Sequence, residues 1–333
     1  MSENTLVQVK NLKKWFPVKD KLFGRADTFV KAVDDVSFDV YDGEVLGLVG
    51  ESGCGKTTIS RTMLGLTKAT GGSIIFDGED LLSMKKEALR KKRAKLQMVF
   101  QDPYSSLSPR KRVGKTIAEP MEIHNIGTRQ DRAKRVEDLL ETVGLNRDYS
   151  HRYPHEFSGG QRQRIGIARV LAANPQFIIC DEPVSALDVS IRSQILNLLM
   201  DLKHEFGLTM LFISHDLSVV EYLCDRIIVM YLGKVMEIAK KDDLYKSPAH
   251  PYTVALMSAI PQPDPDAKKH RIILEGDMPS PINRPEGCLF RTRCPMAQEA
   301  CAQMPELREV APGHCAACHF AEKLAAGDVS VTQ

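Results

Sequence analysis

The sequence predicts an α/β fold built on a parallel sheet. Three observations predict it: short, almost uninterrupted apolar runs, amphipathic helical stretches between them, and a Gly-rich turn after the first run that opens a helix. VLGLV (Val45–Val49) is the first buried strand, and FIIC (Phe177–Cys180), TMLFI (Thr209–Ile213) and RIIVM (Arg226–Met230) follow. Between the second and third lies VSIRSQILNLLMDLKHEFG. Its Ile191, Ile195, Leu198, Leu202 and Phe206 recur at three- and four-residue spacing, and Gly207 supplies a helix stop.

Two regions depart from the alternation. Residues 115–173 carry helical patterning without a strand, which predicts an inserted helical subdomain. Residues 247–285 hold eight of the eighteen prolines and little periodicity, so they read as an ordered but irregular linker. The resulting division is a domain over 5–245, a C-terminal extension over 246–322 and a flexible tail over 323–333, with a frayed Thr-Gln end.

Composition excludes several classes. The 45 basic and 43 acidic residues leave a net charge of about +2, without the basic excess of a nucleic-acid binder. No apolar run approaches the length of a membrane span, and the first residues lack a signal peptide's apolar core. The expected compartment is the reducing cytoplasm, where clustered cysteines favour metal over disulfides.

GESGCGKTT supplies the first chemistry. It follows a strand and precedes a helix, the context that GxxxxGK(S/T) requires. Gly50, Gly53 and Gly55 let the backbone curl its N–H groups towards phosphate, and Ser52, Cys54 and Thr58 complete the loop. Lys56 reaches the β- and γ-phosphates, and the Thr57 hydroxyl binds Mg²⁺. FIICDEP supplies the second: Asp181 for magnesium through water, then Glu182 to polarise the attacking water. Cys180 and Cys224 read as small apolar packing residues, and Cys54 reads as loop filler, with a redox-sensitive thiol as the alternative. The run KKEALRKKRAK (Lys85–Lys95) reads as a solvated helix face, with an anionic lipid surface as the alternative.

FSGGQRQR (Phe157–Arg164) narrows the choice. Ser158 can cap a helix beginning near Gly160, and the glycines open backbone amides to a phosphate. With the phosphate loop, Gln101 of VFQDP, Asp188 of SALD and His215 of ISHD, residues 5–245 resemble the ATP-binding cassette family. The resemblance implies a P-loop NTPase cassette with a RecA-like core sheet, an antiparallel β subdomain and the inserted helical subdomain. It implies a head-to-tail dimer, in which Ser158, Gly159, Gly160 and Gln161 serve the partner's nucleotide and Asp188 links the two sites. His215 would touch the γ-phosphate, and Gln101 would bind nucleotide and magnesium and pass their state to the membrane subunits. Phe16 is the expected adenine platform, with Trp15 the alternative.

HPYTVALMSAIPQPDP, EGDMPSPINRPEGCLFRTRCP and ACHF resemble the extension of oligopeptide and dipeptide importer ATPases, and the start VKNLKKWFPVKDKLFGR resembles their second ATPase subunit. The implied partners are two membrane permeases, a sister ATPase and, indirectly, an extracytoplasmic substrate-binding protein, with this chain on the cytoplasmic face of the membrane. A nickel importer or an exporter subunit is the alternative. Cys288, Cys294, Cys301 and Cys318 match the positions that hold a four-iron cluster in such tails. Four thiolates suit zinc as well, a tail without metal is the third reading, and Cys315 departs from the pattern as a spare thiol or an alternative ligand.

Overall fold

A computed structural model describes residues 4–18, 28–260 and 272–331. The insertion within VKNLKKWFPVKDKLFGR and the frayed Thr-Gln end lie outside the described residues. The elements run β1 (Thr5–Val18), β2 (Thr28–Tyr41), β3 (Val45–Val49), α1 (Lys56–Met63), β4 (Gly71–Phe76), β5 (Glu79–Asp80), α2 (Lys86–Lys92) and β6 (Leu96–Val99). Then come α3 (Pro103–Ser106), α4 (Val113–Ile123), α5 (Arg129–Thr142), α6 (Gly159–Leu171), β7 (Phe177–Asp181), α7 (Val189–Phe206), β8 (Thr209–Ser214) and α8 (Leu217–Leu223). The chain continues through β9 (Arg226–Tyr231), β10 (Lys234–Lys240), α9 (Lys241–Lys246), α10 (Pro251–Ser258), β11 (Arg308–Ala311), β12 (His314–Ala316) and α11 (Ala321–Ala325).

The chain divides into two compact units. One contains Val40–Val45 and Ser83–Ile213. Its strands β6, β7 and β8 are parallel neighbours, with Phe177 opposite both Leu96 and Thr209. Every residue of β7 and β8 is buried, which is why both read as unbroken apolar runs. Helices α4, α5 and α6 pack together over Ile117, Leu139, Leu140, Ile165 and Ile167. Helix α7 ends at Gly207 in the left-handed conformation. Its buried stripe is Ile195, Leu196, Leu199 and Leu202, so Leu198, predicted for that stripe, sits at its margin. Helix α2 has no buried residue, as befits a solvated face.

The other unit contains Leu6–Asp39, Leu46–Leu82 and Ser214–Gln333. Its strand order is β11-β12-β10-β9-β3, with β3 parallel to β9 and the remaining pairs antiparallel. A second sheet has the order β2-β1-β4-β5. Gly47 on β3 has no room for a side chain, because a Cβ there would lie 2.9 Å from Val220 and 3.0 Å from the Cys224 sulfur. The extension builds on the first of these sheets: β12 pairs with β10, placing Ile238 opposite Cys315.

Two expectations are corrected. The stretch over 247–285 is not wholly irregular, since α10 forms where His250 accepts the Tyr252 amide as N-cap and Pro251 takes the first helical position. The stretch read as a flexible tail from 323 begins inside α11, and its Leu324 and Val331 are buried. Among the described residues no helix is long and apolar enough to cross a membrane.

Candidate nucleotide-binding site

Strand β3 delivers the phosphate loop and α1 carries it away. Gly50 has φ +150° and Gly55 φ +110°. A Cβ at Gly50 would lie 2.2 Å from the Met230 carbonyl oxygen, and one at Gly55 2.2 Å from that of Ala32. Both positions therefore require glycine for conformation and for space. Lys56 is 5% exposed, and its ammonium donates to the carbonyls of Gly50 at 2.7 Å and Glu51 at 3.1 Å. The cation thus sits inside the curl that would receive an anion. Cys54 is fully buried in the loop, and burial pushes its thiol pKa up.

Glu51 has partners that sequence reasoning missed. Its carboxylate accepts both terminal nitrogens of Arg293, at 2.8 and 3.2 Å, and its amide donates to the Tyr252 hydroxyl at 2.9 Å. Burial works against the charge on Arg293, but hydrogen bonds to Glu51 and Tyr231 outweigh it and its pKa is raised. The rings of Tyr231, Tyr252 and Phe290 pack beneath this pair at centroid distances of 4.8–5.4 Å. Of the two candidate adenine platforms, Trp15 is committed: its indole N–H donates to Asp34 at 3.0 Å. Phe16 is 39% exposed, with the Lys14 ammonium 4.5 Å from its ring centre.

In the other unit, β7 ends on the buried Asp181. Glu182 follows at φ +48°, a left-handed conformation uncommon for a residue with a side chain. Its amide donates to the Ile213 carbonyl at 3.0 Å, and its own carbonyl accepts the Ser185 hydroxyl at 3.1 Å. The Gln101 side-chain amide donates to the Glu182 carboxylate at 3.0 Å. Two residues singled out separately in the sequence are therefore bonded directly. Strained backbone of this kind persists where surroundings over-determine it, often at functional positions.

Ser158 caps α6 in a reciprocal box: its hydroxyl accepts the Gln161 amide and the Gln161 side chain accepts the Ser158 amide. The Gly159 and Gly160 amides lie in the first turn, where a helix supplies no partner of its own. A Cβ at Gly160 would come within 2.5 Å of Ile191, so this glycine also serves packing. Asp188 precedes α7 without capping it through its side chain, and His215 is exposed after β8.

The five tail cysteines separate into four and one. Cys288, Cys294, Cys301 and Cys318 line one small cavity with His250 and Phe290. Burial, with help from neighbouring thiols, pushes Cys294 up to about 12 and Cys318 to about 11. Cys315 is outside that lining, on β12 between Ile238 and Glu309. Among the described residues no three His, Cys, Asp or Glu side chains are grouped as ligands of a single ion.

Comparison with known proteins decides the family. Residues 33–185 match the ABC transporter model, and residues 236–301 match the oligopeptide/dipeptide transporter C-terminal region. A putative peptide import ATP-binding protein of Brucella ovis is 56% identical over 319 residues, covering 96% of this chain and 98% of the relative. The oligopeptide transport ATP-binding protein AppF of Bacillus subtilis is 54% identical at the same coverage. OppF of Salmonella typhimurium is 51% identical, covering 94% of this chain and 95% of that one. The chain belongs to the ABC transporter ATP-binding proteins of the oligopeptide/dipeptide branch.

The fold agrees. A dimeric structure of the ATP-binding cassette MJ0796 bound to ADP and Pi superposes with TM-score 0.63 at 30% identity, covering 71% of this chain and 98% of that one. This member of the family is therefore an ATPase, with the α/β cassette fold that its motifs predict. The region over 236–301 holds three cysteines of the cavity quartet, while Cys318 lies beyond the matched residues. Arg293 and Tyr252 carried no sequence signal for their partner, because Glu51 occupies a motif position that any residue can fill.

Proposed function

We propose that the chain binds and hydrolyses Mg-ATP as the peripheral, cytoplasmic-face subunit of an importer for oligopeptides or dipeptides. Its partners would be two membrane permeases, a related ATPase in a head-to-tail pair and, indirectly, an external binding protein. The observation that carries the substrate class is the match above 50% identity to proteins named for peptide import, over cassette and extension together. The dimeric structure of the MJ0796 cassette supports the pairing.

The site residues take the following roles. The amides of the loop from Gly50 to Thr58 and the Lys56 ammonium hold the β- and γ-phosphates, and Phe16 stacks on adenine. Thr57, Gln101 and, through water, Asp181 would hold magnesium, which when bound neutralises phosphate charge. The buried Asp181 carboxylate suits a cation. Glu182 takes a proton from water as the water oxygen attacks the γ-phosphorus; the bond to the bridging oxygen breaks and ADP leaves. The Gln101 amide supports this role by orienting the carboxylate. His215 contacts the γ-phosphate and positions the attacking water. Ser158, Gly159, Gly160 and Gln161 meet the partner's nucleotide, and Asp188 couples the two sites.

Cys288, Cys294, Cys301 and Cys318 would hold a metal group that staples residues 288–301 to 318. Their convergence on one cavity supports this, and a bound cation would reverse the upward pKa shifts. Four soft thiolates suit an iron–sulfur cluster, with zinc as the alternative. Reconstitution with the permeases and sister ATPase tests the whole reading. Peptide should be taken up only with ATP; uptake of nickel and not of peptide would overturn it.

A further inference from the structure

The loop that binds phosphate is fastened from outside, by residues more than 200 positions away. Glu51 turns its carboxylate onto the two terminal nitrogens of Arg293 and gives its amide to Tyr252. The pair is largely shielded, with side-chain exposures of 10% for Arg293 and 26% for Glu51. Arg293 is itself anchored, lying 3.4 Å from the Tyr231 hydroxyl beside the Tyr231–Tyr252–Phe290 cluster. Its position at residue 293 puts it immediately before Cys294 of the cavity quartet.

A second arginine of the extension borders the far end of the same loop. Arg284 pairs with Asp34 at 2.8 Å and donates to the Lys31 carbonyl. The next residue, Ala32, presents the carbonyl against which Gly55 closes. The extension therefore holds Glu51 near one end of GESGCGK and, at the other, Lys31, the neighbour of the residue against which Gly55 closes.

A loop that turns successive N–H dipoles and a lysine inward concentrates positive charge where an anion would sit. A two-point guanidinium–carboxylate bond on its outer side fixes Glu51, the loop's second residue, in direction as well as distance. We propose that Arg293 is a positioning residue for the nucleotide: through Glu51 it holds the phosphate loop in its binding shape, which makes the C-terminal extension part of the ATP site. This rests on the ATPase reading above.

The test is Mg-AMP-PNP affinity, by calorimetry on the full-length chain, for Arg293→Ala, Glu51→Gln, Glu51→Ala and Arg293→Ala/Glu51→Ala, and for Arg293→Lys. Either alanine variant should bind about 5–30-fold more weakly, and the double variant no more weakly than the worse single one. Lys, which cannot form the fork, should restore affinity only in part. Amide exchange over residues 50–58 of the unliganded chain should quicken in the single variants. Affinities within twofold of wild type, or losses that multiply in the double variant, overturn the proposal. Should Arg293→Ala fail to fold, Glu51→Gln alone decides, since it keeps the shape and removes the charge. A wild-type chain that binds no nucleotide overturns the functional reading, and this one with it.

Discussion

Replacing Lys56 with alanine separates what the lysine does for the nucleotide from what it does for the loop. In the unliganded protein its ammonium is already bonded to two carbonyls, at 2.7 and 3.1 Å, and only 5% of the residue is exposed. A hydrogen bond to a charged group contributes about 1.5–3 kcal/mol. Nucleotide binding therefore exchanges neutral carbonyl partners for an anionic one, and only the difference counts towards affinity. The lower end of the range applies, about 1.5 kcal/mol or tenfold in Kd. The two carbonyl bonds lost from the unliganded chain should cost about 1.5–3 kcal/mol of stability, a fall of roughly 2–4 °C in Tm. Calorimetry with Mg-AMP-PNP and a thermal melt measure both. Undiminished affinity would refute the reasoning, whatever the melt shows.

Three further outcomes are expected. The isolated chain should be a weak ATPase that gains activity with its sister subunit and permeases, and full turnover in a demonstrably monomeric sample would count against the paired site. Burial lowers the His250 pKa to about 3 from an ordinary 6.5, and its ring accepts the Tyr252 amide at 3.1 Å. The unfolded chain therefore binds the proton first: stability is complete above pH 6.5 and falls below it, by about 2 kcal/mol at pH 5. Denaturant unfolding of His250→Asn should lose that slope, and an unchanged slope would assign it elsewhere. Anaerobically purified protein should contain iron and acid-labile sulfide that Cys294→Ser loses and Cys315→Ser keeps; colourless protein with stoichiometric zinc would replace the cluster with a zinc staple.

Local chemistry was legible in the sequence and long-range contact was not. VLGLV declared β3 because every one of its residues is buried, and Gly207 declared the end of α7 because a left-handed stop favours glycine. The Ser158 cap was readable for the same reason, since its partner is three residues away. The left-handed backbone of Glu182 left no trace, because the Ile213 carbonyl that accepts its amide is distant in sequence. Helix α10 hid among prolines whose composition signals a loop, although Pro251 in fact starts the helix. The resemblance already set Cys315 apart from the other four, and pairing with β10 takes it into a strand. Glu51 and Arg293 are 242 positions apart, and nothing local in either predicts the other.

Glu182→Gln, assayed for ATP turnover in the assembled transporter, tests the central claim most directly. Glutamine keeps the shape and an oxygen to accept from Gln101, so nucleotide binding should persist while the proton acceptor is lost. Turnover should fall about 10²–10⁴-fold, with ATP retained in a closed pair of subunits. Turnover at the wild-type rate would contradict the account and move the attacking water to another residue, His215 first.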